Sequence, residues 1–264
     1  GVIADYQFDD QPTLSVPKSC EYKGKWVEIV ERDAYAGKSL RLYSPEGQVY
    51  VQFPFTHKSD KLVLDAKFKL IDQNAGKQIF MLKAGDGKLY ETLKISPDGM
   101  LSAADDYQIR RLKLGEWVNI SMLINLKLSR AEVYIDGRLT ATTRLSSAVQ
   151  SLTGVRFVSG APGVESEMLL DDLRIYEGGR LLGEENFPQV EKNLRKLEKT
   201  EEDYAPDPES NMVYLNENCN DYTQGNEGPW TIINKGNTVS VADVPSAEDK
   251  SMVLSVEQQD PYME

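Results

Sequence analysis

The chain has 264 residues, with 30 Lys and Arg against 42 Asp and Glu and a formal net charge of −12. That length holds one large all-β domain or one domain plus part of another, and the acidic balance argues against a general nucleic-acid or anionic-membrane surface. A single histidine, His57, excludes Ser-His-Asp triads and most histidine-based metal and acid/base sites.

From residue 40 to 176 the rhythm is short strand, turn, short strand. Lys61–Leu70 alternates cleanly: Leu62, Leu64, Ala66, Phe68 and Leu70 fall on one face, while Lys61, Asp65, Lys67 and Lys69 fall on the other. Further strands are predicted at 78–83, 89–95, 117–126, 131–136, 155–159 and 168–176. They are separated by turn signals such as Gly85-Asp86-Gly87, Pro97-Asp98-Gly99 and Asp136-Gly137. The expected fold is therefore all-β, a two-sheet antiparallel jelly-roll sandwich that buries one face of each strand and limits exposed edges.

After about Arg180 the chain turns charge-dense, and Pro206 and Pro208 follow, so 180–210 is expected to be a linker. Beyond it the opening of the chain recurs in order. Phe8-Asp9-Asp10 matches Cys219-Asn220-Asp221, Trp26–Ile29 matches Trp230–Ile233, and Lys38–Leu42 matches Lys250–Leu254. The expected organisation is a first domain over 1–179, the linker, and the amino-terminal part of a second jelly roll over 211–264. Residues 211–264 are too few to close a second sandwich, so the remainder of a longer polypeptide or a second chain is expected to complete it. The start at Gly1, with no Met or signal-like apolar stretch, reads as a processed or excised piece. Cys20 and Cys219 have no CxxC or zinc spacing, and no run approaches the ~18 apolar residues of a membrane helix.

Trp117–Ser121, Ala131–Gly137 with its Asp-Gly hairpin, and Leu170–Tyr176 with its Asp-Asp pair together resemble the concanavalin A-like lectin/glucanase superfamily, particularly its laminin-G-like and carbohydrate-binding branches. The resemblance covers roughly 1–179, with 211–264 as a truncated second copy. It implies fold more than ligand, because members include glycan-binding modules, accessory modules of secreted polysaccharide-degrading enzymes, adhesins and structural domains. The catalytic branch carries Glu-x-Asp-x-x-Glu on one strand. Here Glu31-Arg32-Asp33 and Glu201-Glu202-Asp203 begin that pattern, but Ala36 and Pro206 stand at its third carboxylate.

Asp9, Asp10, Asp171 and Asp172 are the candidate metal ligands. First and last strands of a jelly roll lie side by side, and oxygen donors there suit calcium. Calcium-stapled modules resembling this chain add a backbone carbonyl from the loop before Lys38-Ser39-Leu40, which would make the ion structural; the second-copy counterparts are Asp221, Asn220 and Glu217. The competing reading is turn and capping hydrogen bonds.

For glycan contact the candidates are Tyr90, Tyr107 and Tyr134, aromatics with polar strand neighbours. Lys67, Lys69, Lys94, Arg110, Arg111, Arg130 and Arg156 concentrate positive charge on the strands and would suit an anionic polysaccharide such as a uronate polymer. Strand lysines also simply block edge aggregation. Trp117 is expected in the core and His57 in solvent.

The expected function is a non-catalytic carbohydrate-binding or accessory module of a secreted bacterial glycoside hydrolase or polysaccharide lyase, with polysaccharide as partner and a secreted or cell-surface location. The alternatives are an adhesive or structural cell-surface module that binds protein, and part of a catalytic lyase chain, for which Tyr107 and the arginines of 107–111 would supply the residue types.

Overall fold

The computed structural model describes residues 1–182, Leu194, Arg195 and Leu197, and the backbone of four short strands beyond them. Two compact units are present, Gly1–Met212 and Val213–Glu264. The strands of the first unit, in chain order, are β1 (Val2–Tyr6), β2 (Glu21–Lys23), β3 (Trp26–Val30), β4 (Ser39–Ser44), β5 (Val49–Pro54), β6 (Lys61–Leu70), β7 (Lys77–Ala84) and β8 (Leu89–Tyr90). They continue with β9 (Leu93–Ile95), β10 (Met100–Ala103), β11 (Gln108–Arg111), β12 (Trp117–Asn125), β13 (Arg130–Ile135), β14 (Arg138–Arg144), β15 (Leu152–Ser159) and β16 (Ser166–Glu177).

Two eight-stranded antiparallel sheets result. Sheet A runs β14-β13-β12-β6-β16-β4-β3 with β1 on β16, and sheet B runs β11-β10-β9-β7-β15-β5-β2 with β8 on β7. This is the all-β jelly-roll sandwich that the alternating sequence predicts, and β1 does pair with the last strand, β16. No helix of the described residues is long and apolar enough to cross a membrane.

The inward faces meet in one apolar core. Leu62, Leu64, Ala66, Phe68 and Leu70 of β6 are all buried, as their period of two requires. Phe68 of sheet A meets Phe80 and Phe157 of sheet B at centroid distances of 5.5 and 5.8 Å. A second, smaller cluster lies on the outward side of sheet A. There Val63, Leu123, Tyr134, Leu139 and Tyr176 pack with Leu181, and Leu194 joins them.

Bulges interrupt the alternation at several places, two of which bear on the sites described below. On β7, Ile79 and Phe80 are consecutive and both fully buried, with Phe80 at φ +51° and a register shift opposite it on β15. On β16 the inward set changes phase, from Met168 and Leu170 to Leu173 and Ile175. The shift falls at Asp171 and Asp172, where Asp172 has φ +46°.

In the second unit β17 (Ile232–Ile233) pairs with β20 (Tyr262–Met263), and β18 (Val239–Asp243) pairs with β19 (Lys250–Leu254). The linker over 180–210 lies mostly outside the described residues, as do Asp221, Asn220, Glu217 and most of the expected second copy.

Candidate functional site

Two places gather polar side chains on built elements. The first is the junction of β1, the loop before β4, and the β16 bulge. The bulge turns Asp171 into a pocket where it is 1% exposed, and it accepts hydrogen bonds from Ser39 Oγ at 2.7 Å and from its neighbour's Asp172 N–H at 2.8 Å. Burial pushes the Asp171 carboxyl up to about 6 against those two bonds, and the charges of Asp172 and Asp9 add to the rise. Asp9 accepts the Lys38 N–H at 2.7 Å.

Gly37, at φ +63°, holds this turn open, since a Cβ there would stand 2.2 Å from Asp9 Oδ1. Gly37→Ala is accordingly expected to displace the Asp9 carboxylate, break its bond to Lys38, and lower stability by about 1–2 kcal/mol. Thermal unfolding measures this, and an unchanged melting temperature would contradict it.

The four expected metal ligands are not gathered around one point. The Asp9 charge reaches Asp171 and adds to its rise, Asp172 forms an ion pair with Lys67, and Asp10 is exposed. Among the described residues no group of three or more His, Cys, Asp or Glu is arranged to hold a metal ion. The arrangement offers one buried carboxylate, Asp171, with the exposed Asp9 within reach of its charge.

The second place is the outward face of sheet B. Strand register sets Tyr50 opposite Val158, Gln52 opposite Arg156, Arg156 opposite Met81, Val158 opposite Gln78, and Gln78 opposite Lys94. Their chain neighbours Val51, Phe53, Val155, Phe157 and Leu93 point into the core. The Arg156 guanidinium lies over the Tyr50 ring, 3.9 Å from its centroid. Beside this plate is a hollow of about 280 Å³ whose lining includes Gln48, Gln78, Glu91, Lys94 and Val158. Gln78 donates to Glu91, and Lys94 is paired with Glu91 and Asp106. The hollow thus presents amide, carboxylate and ammonium groups together.

Of the residues singled out in the sequence, Lys94 and Arg156 fall on this face, and the others described below fall elsewhere or are engaged by the chain itself. Tyr134 is 1% exposed in the cluster outside sheet A, with its hydroxyl donating to Glu132 at 2.6 Å, so it cannot stack on a sugar. Tyr90 is half-buried beside the β7 turn and donates to Asp86 at 2.8 Å. Tyr107 is half-buried under Arg195, whose guanidinium lies 4.5 Å from the ring centroid and pairs with Asp105. Lys67 and Lys69 stand on sheet A, paired with Asp172 and Asp33, and Lys67 also lies over the Tyr35 ring at 3.9 Å. Arg111 binds Asp98 at 2.7 Å, and Arg110 is half-buried on β11.

His57 is held rather than solvated: its Nδ1 is 2.8 Å from the Ser59 carbonyl, and its Nε2 accepts the Leu152 N–H at 2.9 Å. Trp117 is half-buried rather than in the core, with its indole N–H donating to the Asp33 carbonyl.

No protein-family model and no curated sequence matches the chain. Solved structures do. A sialidase superposes with a TM-score of 0.57 at 13% identity over 67% of this chain and 18% of its own length. A structure reported for endo-acting O-glycanases expressed by members of the human gut microbiota superposes with a TM-score of 0.50 at 10% identity, over 67% of this chain and 99% of its own. Domain 4 of an extracellular arabinanase from Geobacillus stearothermophilus, in complex with arabinotriose, is 20% identical with a TM-score of 0.45, over 68% and 94%. The chain therefore spans less than a fifth of the sialidase it matches. What the first two likenesses carry is the fold: the first unit of this protein is a two-sheet antiparallel β-sandwich.

Proposed function

We propose that the first unit is a non-catalytic carbohydrate-binding module of the concanavalin A-like kind, carried by a secreted polysaccharide-acting protein, and that it binds glycan on the outward face of sheet B. The observation that carries this is the Tyr50–Arg156 plate beside the hollow lined by Gln48, Gln78, Glu91 and Lys94. A pyranose offers an apolar ring face and a rim of hydroxyls. The Arg156 guanidinium stacked on Tyr50 offers a flat face to the ring, and the amides, carboxylate and ammonium beside it offer partners to the hydroxyls. The outward face of sheet A is a poorer candidate, because part of it is filled by the apolar cluster around Tyr134 and Tyr176. The names of the sialidase and O-glycanase structures that share the fold are in keeping with this reading. For calcium we propose the narrower donor pair Asp9 and Asp171, with the ion tying β1 to β16.

Affinity electrophoresis of the full chain in gels containing arabinan, polygalacturonate or κ-carrageenan tests the binding face. At least one polymer should retard the protein. Tyr50→Ala should weaken that retardation about tenfold, the equivalent of about 1.4 kcal/mol, whereas Tyr43→Ala on sheet A should leave it unchanged. Equal retardation of all three proteins, or none of any, would contradict the assignment.

A further inference from the structure

The cations expected to meet an anionic glycan are engaged inside the protein: Lys67 by Asp172, Lys69 by Asp33, Lys94 by Glu91 and Asp106, Arg111 by Asp98. Arg156 is different. It stands mid-strand on β15, half-buried, and among the described residues no carboxylate lies within ion-pair distance of it. Its position is nevertheless fixed from two sides. One face of the guanidinium rests on Tyr50, and Nε donates to Gln52 Oε1 at 3.0 Å. Gln52 is itself fully buried, and its Nε2 donates to Glu21 at 2.8 Å, while Glu21 also faces Lys83 at 3.8 Å. The carboxylate behind the relay is thus shared between Gln52 and Lys83 rather than given to Arg156.

This leaves the two terminal nitrogens of a rotationally fixed guanidinium. A planar fork of that kind matches the two oxygens of an oxyanion, and most of the side-chain entropy of holding it is already lost in the folded protein. A lysine at this place would be a point charge on a flexible stem.

We propose that Arg156 is the anchor for a negatively charged substituent on the bound glycan, a uronic-acid carboxylate or a sulfate ester, with the sugar ring that carries it lying toward Gln78 and Lys94. The inference rests on the assignment of the sheet B face as the glycan site, and it names the ligand class of that site. Carboxylate and sulfate ester share the oxyanion chemistry that the fork reads.

The test compares the full chain with Arg156→Gln and Arg156→Lys in affinity gels of polygalacturonate, which carries carboxylates alone, κ-carrageenan, which carries sulfate esters without uronate, and neutral arabinan. Retention by one of the charged polymers is expected, with at least tenfold weaker retention for Arg156→Gln. Arg156→Lys, which keeps the charge but not the fork, should lose at least threefold and serves should the glutamine variant fold poorly. The polymer that responds identifies the anion. Retention of the unaltered chain by arabinan alone, or by a charged polymer with both variants unchanged, would overturn the anchor while leaving glycan binding on this face intact. No retention by any of the three would remove the binding-face assignment and this inference together.

Discussion

Phe157→Ala is expected to lower the unfolding free energy of the first unit by about 3–5 kcal/mol, the usual cost of emptying a buried phenylalanine site. Phe157 is fully buried on β15, and its ring lies 5.5 Å from Phe80, 5.8 Å from Phe68 and 6.2 Å from Phe53. Phe68 belongs to sheet A and the others to sheet B, so this quartet joins the two layers. Loss of the ring opens a cavity that neither sheet can close without sliding against its partners in register. The same strand carries Arg156, so the core that fixes Phe157 also fixes the outward guanidinium. Guanidinium-chloride unfolding measures the change, and a loss below about 1.5 kcal/mol would mean that the layers are held together elsewhere.

In the presence of a chelator the first unit is expected to gain stability as the pH falls from about 6 and to be most stable near pH 4, with Asp171 the main reason. Its folded carboxyl is raised to about 6, first by burial, so its ionised form is disfavoured in the fold. Stability therefore rises as the pH falls from neutrality through 6 toward the ordinary carboxylate range. Glu132 acts in the same direction: burial raises it, and the Tyr134 hydroxyl opposes the rise. Other groups turn the curve down in stronger acid. Asp98 is held down to about 2 by the Ser96 hydroxyl and then Arg111, and Asp105 is lowered chiefly by Arg195. Their contribution is lost in stronger acid, that of Asp98 as the pH falls from about 4 toward 2.

Asp171→Asn should consequently raise stability at pH 7.5 by about 2 kcal/mol in chelator, with the difference gone near pH 4. Calcium should reverse the order at pH 7.5. The unaltered protein would gain stability by mass action and the variant would not, and the gain should shrink at pH 5, where Asp171 holds its proton. A melting temperature that is flat between pH 7.5 and 5 in chelator would contradict the account of Asp171. A calcium effect equal in both proteins would contradict the donor pair.

The residues differ in how openly the sequence declares them. Strand β6 is legible because its five inward positions alternate without interruption and every one is buried. The long span predicted over 89–95 is in fact β8 and β9, because Glu91 and Thr92 leave the ladder, Thr92 to bond the Phe80 carbonyl. Strands β10 and β11 are too short to show a period at all. The Asp171-Asp172 pair marks its own bulge once the inward set is seen to change phase across it, from 168 and 170 to 173 and 175.

The glycan face is a different matter. Gln48, Tyr50 and Gln52 alternate with buried Val49, Val51 and Phe53, so their common side is readable from the sequence. That Arg156 lies across from Gln52 is a matter of register between strands about a hundred residues apart, which no local pattern carries. Tyr90, Tyr107 and Tyr134 illustrate the converse. Polar neighbours along a strand say nothing of what another strand or the following segment lays over the ring, as Arg195 does for Tyr107.

The most direct test of the central claim is an amide and side-chain chemical-shift titration of the full chain with the polymer-derived oligosaccharide that affinity electrophoresis selects. Shifts should concentrate at Tyr50, Gln52, Gln78, Glu91 and Arg156, with the Arg156 side chain among the largest. Shifts confined to the outward face of sheet A, around Tyr35, Tyr43 and Trp117, would contradict it.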